Sequence, residues 1–127
     1  LCENNYEEVM DKVAQKNIDL SYDKKYKNLL FNQTSVKKVL TKLNLFGYGN
    51  FNLSGIFKNK IYIYNEDNPY PKEYKRLFNT QDQPVDEFSC YLLKWLFKKY
   101  FNKNYKVKEK KCISMGNRKC IYELTGG

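Results

Sequence analysis

Two adjoining stretches decide the fold: PVDEFSCYLLKWLFKKYF (84–101) and NYKVKEKKCISMGNRKCIYEL (104–124). In the first, Val85, Phe88, Leu92, Trp95 and Leu96 recur at helical spacing, and Leu93, Phe97, Tyr100 and Phe101 widen the arc. Only Asp86, Glu87, Lys94, Lys98 and Lys99 are charged, so most of this helix must be covered by other elements. Pro84 suits its first turn, where a missing N–H costs nothing. The second stretch reads as a hairpin. If Met115, Gly116 and Asn117 form its loop, Cys112 stands directly opposite Cys120, with Cβ atoms about 4.5–5.5 Å apart. Such a pair can share a metal or, after adjustment, form a disulfide.

Upstream, residues 3–16 read as a helix with an apolar stripe of Tyr6, Val9, Met10 and Val13, followed by a break over 17–23. Tyr26–Phe31 is a short apolar segment with helical character. Thr34 or Ser35 caps a clearer helix whose face is Val36, Val39, Leu40, Leu43 and Phe46, ended by Gly47 and Gly49. Strands over 50–57 and 60–65 follow, joined near Lys58 and Asn59, and Ile61 and Ile63 alternate with Tyr62 and Tyr64. Pro69 and Pro71 break the stretch 66–83, which reads as a long connection with one helical turn around 74–78. The order predicts an α+β domain: an antiparallel sheet of about four strands with helices on one face, one domain over 1–127.

Composition narrows the chemistry. The formal charge is +9 and there is no histidine, which removes the usual general base, the Ser-His-Asp triad and every histidine-containing metal site. Arg76 and Arg118 are the only arginines, and the lysines are scattered among Asn, Ile and Tyr. Readers of nucleic acid favour arginine forks, so a basic nucleic-acid module is the lesser alternative. No apolar run approaches the ~18 residues of a membrane span. Four cysteines, unevenly spaced, suit a reducing cytoplasmic setting better than a secreted disulfide scaffold.

Two constellations stand out. Glu109-x2-Cys112-x7-Cys120, with Cys90 or Asp86 one turn apart on the helix, has the thiolates and carboxylates that zinc takes. Glu109 and Cys112 are an odd number of residues apart, so Glu109 joins the cysteines only if the strand bulges. The competing reading is a set of buried core cysteines. The second constellation is aromatic: Phe88 and Trp95 on the helix with Tyr62 and Tyr64 on a strand could line a pocket for a small flat hydrophobic ligand, or simply fill the core. The glycine turns match no phosphate loop or dinucleotide fingerprint.

Over 40–124 the chain resembles the 4-vinyl reductase domain family, with 1–33 supplying the preceding helices. The resemblance rests on Phe46-Gly47-Tyr48-Gly49 at a helix end, two strands, the Pro84-Val85 step before a long helix, and above all the ending Glu109, Cys112, Gly116, Cys120, Ile121, Tyr122. It implies a small-molecule-binding module related to vesicle-tethering transport-particle subunits and to the sensor domains of phenol-responsive activators. It also implies a structural zinc on Glu109, Cys112 and Cys120. Asp86 stands where the family carries a further cysteine, and Cys90 one turn later is the preferred substitute, since zinc favours thiolate. A binding or sensor role in a homodimer is therefore expected. The enzyme alternative, a reductase acting on a tetrapyrrole vinyl group, has no visible hydride-cofactor motif.

Overall fold

A computed structural model describes residues 2–66, 87–111 and 120–126. The elements are α1 (Cys2–Ser21), a single 3-10 turn (Lys24–Tyr26), α2 (Gln33–Leu45), β1 (Phe51–Phe57), β2 (Lys60–Asn65), α3 (Glu87–Phe101), β3 (Tyr105–Lys111) and β4 (Cys120–Gly126). The expected loop at 115–117, the connection at 67–83 and the proline-led start at 84–86 lie outside the described residues.

The four strands form one antiparallel sheet in the order β1-β2-β4-β3. Strand parity divides its faces. Phe51, Ile61, Ile63, Tyr122 and Leu124 point inward and are fully buried. Tyr62, Tyr64, Ile121, Glu123 and Thr125 alternate with them and point the other way, each only half-buried. The helices cover the inner face: α1 lies on α3, α3 packs against β3, and α2 packs against β1. The architecture is the α+β arrangement that the sequence predicts.

Helix α3 is the hub. Leu92, Leu93, Leu96, Phe97 and Tyr100 are buried, which leaves only the lysines and one flank exposed. At its C-terminal end, Phe31, Phe97, Phe101 and Tyr105 form a ring cluster with centroid separations of 5.2 to 6.4 Å. The Tyr100 hydroxyl accepts from the Asp23 backbone N–H at 3.0 Å, which seats the chain leaving α1 against the far end of α3. Burial pushes the Tyr100 hydroxyl above the usual tyrosine range.

Helix α1 departs from expectation in length and in face. It runs to Ser21, through the expected break, because Ala14, Ile18 and Ser21 are buried at helical spacing and carry the pattern onward. The expected stripe is turned outward at two positions, with Val9 57% and Val13 43% exposed. The segment after α1 holds one 3-10 turn instead of a longer helical piece. The cap of α2 is Asn32, not Thr34 or Ser35: its Oδ1 accepts from the Ser35 N–H at 2.8 Å. Val36, Val39, Leu40 and Leu43 are buried as expected, whereas Phe46 sits at the C-cap, 52% exposed, and Gly47 leaves the helix at φ +86°. Asn44, in the last turn of α2, clasps β1: its Nδ2 donates to the Phe51 carbonyl at 2.9 Å and its Oδ1 accepts from the Phe51 N–H at 2.7 Å.

Two bulges shape the sheet, one between Leu53 and Gly55, the other between Glu109 and Lys111. The second falls in β3 directly after Glu109.

Candidate functional site

A cleft of about 450 Å³ opens between α3 and the outer edge of β3. Helix α3 contributes Cys90, Tyr91 and Lys94, β3 contributes its run from Tyr105 to Glu109, and Glu7 of α1 closes one end. The helical spacing of Cys90, Tyr91 and Lys94 puts them on one flank, beside the fully buried ridge of Leu92, Leu93 and Leu96. On β3, the partners Tyr122 and Leu124 fix Glu109 and Val107 on the inner face. Tyr105, 8% exposed, floors the cleft, and burial raises its hydroxyl above the usual tyrosine range. The phenol is therefore a neutral hydrogen-bonding group at physiological pH.

Lys94 is not a loose charge at the rim. Its ammonium lies 3.4 Å from Asp11 Oδ1 and 5.1 Å from the Trp95 ring centroid. The same Asp11 oxygen accepts from the Trp95 indole N–H at 2.9 Å. One carboxylate on α1 therefore holds two neighbouring residues of α3, and a second α1–α3 ion pair, Lys99–Asp19 at 3.2 Å, lies further along.

The expected ligand set is not brought together. Trp95 faces α1, and Phe88 packs half-buried against the core, both on the covered side of the sheet. Tyr62 and Tyr64 lie on the opposite side, because Ile61 and Ile63 occupy the inward positions between them. The Tyr62 hydroxyl donates to Glu123 Oε2 at 2.8 Å, and its ring packs edge-on against Phe57 with centroids 5.9 Å apart. Residues of the cleft that sequence reading passed over are Tyr91, Tyr105 and Val107. Their signal was available in principle, since plain alternation along β3 puts Tyr105, Val107 and Glu109 on one face.

Of the expected metal set, Cys90 and Glu109 line this cleft, and Cys120 is fully buried on the same inner face as Glu109. Asp86 and Cys112 lie outside the described residues. Among the described residues no group of three or more cysteine, aspartate or glutamate side chains is arranged to hold a metal ion. No described helix is long and apolar enough to cross a membrane.

No protein-family model matches the chain, and no curated protein matches it by sequence. Solved structures do match in fold. The phenol-responsive sensory domain of the transcription activator PoxR, determined with phenol, superposes with a TM-score of 0.72 at 12% identity, covering 92% of this chain and 61% of that one. A vinyl-4-reductase family protein from Methanocaldococcus jannaschii gives 0.63 at 19% identity, covering 91% and 66%. A trafficking protein particle complex subunit 3 from Naegleria fowleri, covalently bound to palmitic acid, gives 0.59 at 16% identity, covering 96% and 78%. The chain thus spans less than two thirds of the first two. These are the three kinds of relative that the sequence resemblance implies, and the fold is common to all of them.

Proposed function

We propose that this chain is a binding or sensory module for a small hydrophobic, aromatic molecule that seats between α3 and β3. The observation that carries the reading is the cleft itself. Its volume lies within the ~300–1,000 Å³ of ligand sites, and Cys90, Tyr91, Tyr105 and Val107 supply apolar and aromatic surface beside the charged groups of Lys94 and Glu109. The likeness in fold to a domain determined with phenol supports the same class of ligand. Titration with phenol, followed through Trp95, the next residue to Lys94 of the cleft, tests it. Saturable quenching should appear in the native chain and weaken in Val107→Phe, which narrows the cleft without adding a fluorophore that reports at the same wavelength, while circular dichroism stays unchanged. Phenol that leaves the fluorescence of the native chain unaltered up to millimolar concentration sinks the proposal.

The module would carry a structural zinc on Cys90, Glu109, Cys112 and Cys120, with Asp86 the alternative to Cys90. In support, pairing with Tyr122 sets Glu109 on the face that also carries Cys120, a bulge follows between Glu109 and Lys111, and Cys90 lines the cleft beside Glu109. Thiolates and a carboxylate suit a closed tetrahedral site, which adds to folding stability and leaves no open position. Elemental analysis should find one zinc per chain, lost in Cys120→Ser together with a lower Tm. Metal-free protein with an unchanged Tm in that variant would reduce the cysteines to packing.

Assembly as a homodimer, working in the cytoplasm, completes the reading. Val9, Val13 and Leu20, the last 74% exposed, fall on one stripe of α1 that a second copy could cover. Sedimentation at tens of micromolar should show a dimer that Val13→Glu dissociates, and a monomeric native chain ends that part.

A further inference from the structure

The scattered lysines of the sequence are not scattered on the sheet. Strand parity puts Lys106 and Lys108 on the outer face, in register with Thr125 and Glu123. Lys110, the bulged residue, turns to the same side, with its ammonium 3.5 Å from Glu123 Oε1. Lys60 at the start of β2 does likewise, 3.8 Å from Glu123 Oε2. Glu123 is the single carboxylate at the strand positions of this face among the described residues, with Glu66 just past the end of β2, and Glu123 is already held by Tyr62 and two ammonium groups. The face therefore presents a surplus of positive charge.

Aromatic rings stand on the same face. Tyr62 and Tyr64 follow Lys60 at alternate positions of β2. Phe57, 62% exposed, lies against Tyr62, and its ring extends over Gly55, where a Cβ would come within 2.8 Å of it. An apolar ring left this open contributes little to the fold.

The two rows have a definite geometry. With β4 between them, the aromatic row on β2 and the lysine row on β3 are two strand spacings apart, about 10 Å. Along β3, alternate lysines recur about every 6.8 Å. Those are the dimensions of an extended single strand, with its phosphates tracking one row and its bases reaching over Ile121 and Glu123 to stack on the other. From this juxtaposition we propose that the outer sheet face binds single-stranded nucleic acid, the lysines of β3 and Lys60 pairing with phosphates and Phe57 and Tyr62 stacking on bases. Lysines on an edge strand also discourage edge-to-edge pairing, but that role gives no reason for Phe57 to stand exposed beside them. A membrane surface would favour an apolar tip rimmed by cations over two rows separated across a flat sheet. This site shares Lys106 and Lys108 with the rim of the cleft but lies on the other face of the sheet, and it does not depend on the ligand proposed for the cleft.

Fluorescence anisotropy of the full chain with labelled oligo(dT) and oligo(U) of about 15 nucleotides tests the proposal. Binding should tighten as salt falls, with log K against log salt sloping about −2 to −3, as three or four phosphate contacts require. A duplex of equal length should bind more weakly. Phe57→Ala, which removes an exposed ring, should weaken binding about tenfold. Replacing Lys106, Lys108 and Lys110 together by Gln should weaken it at least as much and flatten the slope by about two. Gln at the exposed Lys24, Lys37 and Lys38 removes the same charge elsewhere and should do far less. Four results would each overturn it: no binding at the lowest salt, equal loss in the two triple variants, no effect of Phe57→Ala, or a duplex or phosphatidylserine vesicle bound as well as the single strand.

Discussion

The two faces of the sheet are built from the same strands, one residue out of step, and they share almost no chemistry. On the inner face Ile61, Ile63, Tyr122 and Leu124 are sealed under the helices, and position there is set by volume. On the outer face Tyr62, Glu123 and the lysines are held by directional bonds that water and salt can reach. A one-residue slip would exchange the two sets entirely. Parity therefore outranks residue type in assigning function. Tyr62 and Tyr64 belong to a different surface from Phe88 and Trp95 because Ile61 and Ile63 have taken the inward places.

The contrast can be broken most severely from inside. Leu124→Ala empties a fully buried site and should cost about 3 kcal/mol, within the ~2–5 kcal/mol range of such truncations, visible as a lower denaturant midpoint at unchanged slope. Trp95→Phe keeps most of the ring but strands Asp11 without its indole partner, and about 1 kcal/mol should be lost. Asp11→Asn in the same background should then add little, because the two groups act together.

On the outer face the expected effect is one of pH. The hydrogen bond from Tyr62, with Lys110 and Lys60 nearby, holds the Glu123 carboxyl below the usual carboxylate range. A carboxyl depressed in the folded state stabilises above its unfolded pKa, and that contribution fades as pH falls through the lower, folded value. The same bond raises Tyr62, whose contribution is lost as pH climbs past the ordinary tyrosine range. Melting curves from neutral to acid pH should therefore fall less steeply in Glu123→Gln than in the native chain, and equal slopes would remove the pair from the account. The smallest change tests the contrast at its sharpest: Thr125→Ala, adjacent to Leu124 but outward, should move stability by no more than about 0.5 kcal/mol.

Much of this was legible in the sequence, for reasons that can be named. Strands 50–57 and 60–65 and the face of α2 follow from periods of two and 3.6. What was hidden was partnership. Ala14 is small and Ile18 isolated among polar neighbours, so nothing local reveals that they, and not Val9 and Val13, face α3. Asp11 meets Trp95 across 84 positions of sequence. Asn32 outcompetes Thr34 and Ser35 as a cap because the first helical hydrogen bond, Val36 N–H to the Asn32 carbonyl, sets the start two residues earlier. Tyr105 and Val107 read as an ordinary alternating strand, and only the placement of α3 beside that edge makes them walls of a cleft.

The clasp of Asn44 on Phe51 bears on how the sheet could grow. A side-chain amide presents one N–H and one C=O, as a peptide unit does, so at Phe51 it occupies the bonding positions that an incoming strand would need. The β1 border is sealed there by a counterfeit strand one residue long. A strand added along β1 would have to begin beyond Phe51. Releasing the seal with Asn44→Ala frees the Phe51 N–H and C=O and lengthens by one residue the template that the β1 border offers.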